Sequence, residues 1–271
     1  MALERVSVKG ETGRLSVLRT TDDRPGTPLV LVHPINSAAV VWTNAAERLD
    51  RPVVALDLRG HGLSGQVGPF TVEDGYVLDV LAVLNGLGLD RVHLGGGSLG
   101  GTISVALAAL CPQRVRSVTA FGSTLGTGAP PEAIDAMVTE LEAKGTVGYF
   151  AELVPQIVGS AHRESSRIRA VMAEAVGTRP EAVIARILHG AFGADIRHLT
   201  GKVAAAGIPV FAVAGTEDPT CPPAMSQEMA EATGGGAMTL PGVGHLPMLE
   251  EPEQVVDILR EHIAKAEGAG A

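Results

Sequence analysis

Aromatic side chains are scarce in this sequence: one tryptophan, two tyrosines and five phenylalanines make up 3% of its 271 residues. Its core must therefore be packed from aliphatic side chains and alanine, and a hydrophobic share of 45% is ample for that. Cysteine is nearly absent. Cys111 and Cys221 sit in unlike settings, which argues against a disulfide and for free thiols in a reducing cytoplasm. No Cys/His cluster has zinc spacing, and no G-x-x-x-x-G-K-[ST] phosphate loop occurs, so neither metal nor cofactor is expected. Basic runs are missing and the formal net charge is −9. Nucleic acid and anionic membrane surfaces are poor partners for such a chain. No apolar run approaches the ~20 residues that span a bilayer. Met1–Arg5 carries mixed charge with no apolar stretch behind it, so no secretory leader is read there. A cytoplasmic, soluble protein is expected.

Glycine, by contrast, is abundant at 34 residues, and its placement is informative. Strands alternate with helices through the first half. Residues 5–19 read as a hairpin about Gly10–Gly13, and 28–33 and 52–57 read as strands buried on both faces. Helices are expected over about 38–49 and 72–86, a strand at 91–94, a helix at 103–110 and a strand at 115–121. This order implies parallel strands joined by right-handed crossovers. The rhythm breaks at 126–193, where four helices are expected at 130–143, 147–158, 164–176 and 180–191. Strands resume at 208–214 and 237–240, and a last helix runs from Pro252 to Ala266. The expected architecture is a core of residues 1–125 and 194–271 with a helical cap, 126–193, over the C-terminal ends of the strands, where open α/β sheets bind ligands. The tail 267–271 is expected to fray.

One stretch organises the rest. His93-Leu94-Gly95-Gly96-Gly97-Ser98-Leu99-Gly100-Gly101-Thr102 joins a strand to a helix through G-x-S-x-G. A serine on so tight a turn is held at unfavourable backbone angles. Small neighbours are required because strand and helix nearly touch there. A serine hydroxyl needs a base, and the base needs an orienting group. Asp218 follows the strand ending at Ala214, and His245 follows the final strand. Their chain order is Ser, Asp, His. Glu217 is the rival carboxylate. His33 and His61 are expected to brace loops. His93 is expected to be structural, His162, His189, His198 and His262 to lie on the cap or surface, and Glu250 and Glu251 to solvate or cap the last helix.

In these features the sequence resembles the α/β-hydrolase superfamily. The resemblance rests on the elbow at Ser98, on His33 with Trp42, on Asp57-Leu58-Arg59-Gly60-His61-Gly62-Leu63-Ser64, on Gly215…Asp218…Pro222, and on Gly244-His245 followed by Glu250-Glu251-Pro252. It covers nearly everything outside 126–193. It implies catalysis by Ser98, His245 and Asp218, with the N–H groups of Leu99 and Ile35 as oxyanion donors. One departure is His33-Pro34-Ile35-Asn36, where the superfamily commonly has His-Gly-x; Asn36 is then a candidate substrate contact. Serine rather than aspartate at the elbow disfavours haloalkane dehalogenases and epoxide hydrolases. Gly97 disfavours carbon–carbon bond hydrolases, which usually carry asparagine there, and the His-Gly-Gly-Pro-Gly loop of proline iminopeptidases is absent. The text is most similar to 3-oxoadipate enol-lactonases and small carboxylesterases, which implies a small-molecule ester or lactone substrate. Phe150, Leu153, Ile157 and Leu188 are candidate substrate contacts from the cap. A cofactor-free haloperoxidase or perhydrolase, a carbon–carbon bond hydrolase despite Gly97, and a triad-bearing ligand receptor stay open as alternatives. The oligomeric state, a homodimer included, also stays open.

Overall fold

The computed structural model describes residues 3–268. Eight strands form one sheet in the order β1-β2-β4-β3-β5-β6-β7-β8. They are β1 (Leu3–Lys9), β2 (Arg14–Thr20), β3 (Leu29–Val32), β4 (Val53–Leu56), β5 (Val92–Gly97), β6 (Val115–Phe121), β7 (Val210–Gly215) and β8 (Gly236–Leu240). The β1–β2 hairpin adds to the sheet antiparallel, and every later pairing from β4 to β8 is parallel. β3, β4 and β5 are buried at every position, as an apolar run covered on both faces requires.

Helices cover both faces. On one side α2 (Val77–Gly86), α3 (Leu99–Leu110), α7 (Thr200–Ala205) and α8 (Pro223–Thr233) pack over the sheet, and on the other α1 (Thr43–Arg48) and α10 (Pro252–Gly268) do so. Aliphatic side chains dominate both layers, as the shortage of aromatics demands. None of the described helices is long and apolar enough to cross a membrane. The tail differs from expectation. Glu267 accepts from Arg51 and lies 3.2 Å from the buried His93, which holds α10 in place to its end; residues 269–271 lie outside the described residues. His262 also departs from expectation. It is buried against the sheet beside Phe211, with Nδ1 2.9 Å from the Thr119 hydroxyl.

Between β6 and β7 the chain is helical: α4 (Pro131–Ile157), α5 (Ser166–Val176) and α6 (Glu181–Phe192). The two helices expected before residue 158 are both present as the halves of α4, separated at Gly145, whose φ of 69° and ψ of 163° no helix continues through. A bridge pairs Gly126 with Asp195, so the excursion leaves and rejoins the sheet at one point. Arg179, in the turn before α6, is buried and donates to the Gly60 carbonyl. Burial pushes its pKa down to about 10. This link fixes the helical excursion to the loop after β4.

Candidate active site

Ser98 stands between β5 and α3 with φ 49° and ψ −121°. That conformation is strained for a residue with a side chain and persists only because its surroundings dictate it. The surroundings are tight. A Cβ on Gly96 would lie 2.3 Å from Gly100, and one on Gly100 would lie 2.2 Å from the Val32 carbonyl oxygen. Strand and helix thus meet backbone to backbone, and the Ser98 side chain is left at the C-terminal edge of the sheet.

His245 and Asp218 come to the same edge. Ser98 Oγ is 3.0 Å from His245 Nε2, and His245 Nδ1 is 2.9 Å from Asp218 Oδ2. All three are buried, Ser98 to 7% exposure. Asp218 Oδ1 also accepts from the backbone N–H groups of Thr220 and Cys221, which fixes the carboxylate plane. Gly122, with φ 53°, passes close beneath; a Cβ there would lie 3.0 Å from Asp218 Oδ2. Glu217 points elsewhere and accepts from the N–H and hydroxyl of Ser160. Those bonds hold its carboxyl below the usual range.

The His33–Asn36 loop reaches its shape through two histidines. Burial holds His33 near a pKa of about 4 and His61 well below its ordinary value, so both rings are neutral. His33 Nε2 accepts from the Leu58 N–H and its Nδ1 lies 2.7 Å from the Pro34 carbonyl oxygen. His61 Nε2 accepts from the Asn36 N–H. Asn36 takes φ 52°, the left-handed conformation that asparagine tolerates better than most residues. The freedom that glycine would bring at residue 34 is therefore supplied at residue 36. The Ile35 and Leu99 N–H groups donate to no other group among the described residues. Leu99 is the first residue of α3, where such N–H groups have no partner within the helix.

Sequence reasoning misplaced Glu250. It is not a solvated cap but a buried carboxylate in the short helix α9 (Pro247–Glu250). Its Oε2 accepts from Gly159 N–H (2.8 Å) and Gly244 N–H (2.7 Å), and its Oε1 from Leu246 N–H (2.9 Å). His245 N–H donates to the Ile157 carbonyl at 2.7 Å. The end of α4 is thus stapled to both sides of His245. The only signal in the sequence was an acidic residue closing the apolar run Pro247-Met248-Leu249, and nothing marked residues 157–159 as its partners.

Above His245 lies a chamber of ≈ 360 Å³ between the sheet edge and α4–α6. Asn36, Phe150, Leu153, Ile157 and Leu188 all line it, with Ile35 and His245 at its floor. No lysine, arginine, aspartate or glutamate lines it among the described residues. The Asn36 Oδ1 is buried without a partner. A second space of ≈ 40 Å³ adjoins Ser98 on the side of Thr102, Thr124 and Cys221, with room for water-sized groups. Among the described residues no cluster of His, Cys, Asp or Glu is arranged to hold a metal ion.

The chain is similar in sequence and fold to known proteins. A sequence model of the alpha/beta hydrolase family matches residues 29–258. The dihydrolipoyllysine-residue acetyltransferase component of an acetoin cleaving system from Pseudomonas putida is 31% identical over 88% of this chain, which spans 64% of that relative's length. The 3-oxoadipate enol-lactonase 1 of Acinetobacter baylyi is 24% identical, over 83% of this chain and 88% of the relative. A thermophilic esterase from Thermogutta terrifontis superposes with a TM-score of 0.83 at 25% identity, covering 97% of this chain and 99% of that one.

Proposed function

The chain belongs to the alpha/beta hydrolase family, and from that premise we propose that it hydrolyses a carboxylic ester or lactone through an acyl-enzyme on Ser98. The observation that carries this reading is the unbroken run of contacts from Ser98 Oγ through His245 to Asp218, at 3.0 and 2.9 Å, with His245 on the floor of an apolar chamber and Ser98 lining the small space beside it. Ser98 Oγ attacks the carbonyl carbon as His245 Nε2 takes its proton. Asp218 holds the Nδ1–H tautomer and stabilises the imidazolium. The N–H groups of Leu99 and Ile35 receive the oxyanion, each such donor lowering the barrier by roughly 2.7–4 kcal/mol. His245 then protonates the leaving alcohol. Water, deprotonated by His245, releases the acid and restores Ser98.

In this reading residues 126–193 act as a cap that shapes the chamber and excludes water. The chamber's lining supports an uncharged, apolar substrate. A small dicarboxylate lactone would bring anionic groups into a space without a single lysine or arginine, and an unpaired buried charge is costly. Asn36 offers that space a free acceptor.

The test is turnover of p-nitrophenyl butyrate. Sustained release is expected, lowered roughly 10⁴–10⁶-fold in Ser98→Ala, with an active-site phosphonate attached to Ser98. Equal rates in wild type and Ser98→Ala would refute it. One slow turnover with retained product would instead favour a receptor, and peracid formation from acetate and peroxide a perhydrolase.

A further inference from the structure

The outer face of the helical excursion carries a second apolar space. A groove of ≈ 290 Å³ runs between α4 and α5. Val147, Ala151 and Val154 line it from α4 at spacings of four and three residues, and Arg169, Ala173 and Val176 line it from α5 at the same kind of spacing. Such spacing puts each set on one helix face. Seven residues at 1.5 Å each give the groove a length of about 10 Å. Phe150, Val154 and Met172 line both this groove and the chamber above His245. These three side chains are walls common to the two spaces. Among the described residues no lysine, arginine, aspartate or glutamate other than Arg169 lines either space. Arg169, the charged residue on the groove, is tied to Glu164 at 2.8 Å. Val147 is 68% exposed and leaves an apolar surface at the groove itself.

We propose that this groove is the distal part of the substrate site and takes the end of a long, unbranched, uncharged alkyl chain. The chain would run from the chamber past Phe150 and Met172. An apolar chain is the occupant because the groove continues the chamber's lining, offers little polar surface and is too narrow in chemistry to hold an anion or a sugar. Phe150 and Met172 are suited to part: both end in groups that turn or bend about side-chain torsions without moving the backbone. Part of the exposed apolar surface near Val147 then serves a ligand. The inference rests on the ester or lactone reading of Ser98 and names the substrate's shape.

Ala151 and Ala173 both line the groove, both are exposed, and neither lines the chamber. Ala151→Glu and Ala173→Glu therefore fill the groove with charge while leaving the fold and the chamber unchanged. The assay is kcat/KM with p-nitrophenyl butyrate and p-nitrophenyl decanoate, below the concentration at which the longer ester aggregates. A parallel pair, butyl acetate and decyl acetate, places the long chain on the alcohol side. For wild type, decanoate or decyl acetate is expected to exceed its short counterpart at least tenfold. Either variant is expected to remove that advantage and to leave the short ester within twofold. Whichever series responds identifies the side of the ester that enters the groove. A wild type with no long-chain advantage in either series would overturn the proposal. So would variants that leave the advantage intact, or that lower long and short esters alike. Loss of all Ser98-dependent butyrate turnover in wild type is a different result, and it refutes the hydrolase reading itself.

Discussion

Glu250→Gln is the most searching test of how the helical excursion and the site depend on each other. The carboxylate accepts three backbone N–H groups, from Gly159, Gly244 and Leu246. Glutamine matches its volume but offers one oxygen and one NH₂. With the amide oxygen at the Oε2 position, Gly159 and Gly244 keep their acceptor, and the NH₂ faces the Leu246 N–H. Flipped, the amide satisfies Leu246 and opposes the other two. The better orientation still loses one hydrogen bond to a charged acceptor and leaves a buried donor unpaired, about 1.5–3 kcal/mol. Against a native stability of roughly 5–15 kcal/mol the protein stays folded. The slack falls on the residues before and after His245, so the imidazole loses its fixed distance to Ser98. A misplacement on the order of 1 Å can lower rate 10²-fold, and kcat for p-nitrophenyl butyrate is expected to fall roughly 10–100-fold with KM little changed. Urea unfolding followed by fluorescence of the buried Trp42 gives the stability, and steady-state kinetics give the rate. Glu251→Gln is the control, since among the described residues the Glu251 carboxylate pairs only with the half-buried His162 and with Gln254. Glu250→Gln with stability within about 0.5 kcal/mol of wild type and unchanged kcat would refute the staple.

Two further outcomes are expected. In Gly97→Asn the new Cβ lies 2.4 Å from Met248 Cε and 3.1 Å from Pro34 Cγ. The methionine end can move and the proline ring cannot, so stability should drop by about 1–3 kcal/mol and Ile35 should shift. Adding Met248→Ala should relieve part of the instability without restoring kcat/KM, and full recovery of rate would contradict this account. The second outcome concerns pH. His33, His93 and His262 are held near a pKa of about 4, each chiefly by burial, against about 6.5 in an unfolded chain. Between these values the unfolded chain binds more protons, so stability falls as pH falls from about 6.5 towards 4, by on the order of 3 kcal/mol per histidine at the limit. Urea midpoints measured from pH 7 to pH 4.5 should decline, and less steeply in His262→Gln. A constant midpoint would count against neutral buried imidazoles.

The sequence alone determined the sheet, because strands such as Pro28–Val32 and Pro52–Leu56 are continuous apolar runs between turn residues, and such runs have few other ways to be buried. It also determined the elbow: Gly96 and Gly100 admit a backbone approach that any side chain blocks. The order of Ser98, Asp218 and His245 was legible for the same reason, since each follows a strand at one sheet edge. Tertiary structure decided the rest. Whether Asp218 or Glu217 faces His245 is a matter of direction at adjacent residues, and only the fold sets it. Asn36 takes the left-handed backbone because His61 waits to accept its N–H, a pairing 25 residues apart. Glu250 closes on Gly159, 91 residues away, and the chamber and groove exist only where α4 meets α5 and the sheet edge. Local propensity and periodicity act over a few residues and so write strands, turns and glycines into the chain. Contacts between segments far apart in sequence leave no local pattern, and it is those contacts that shape the space above Ser98.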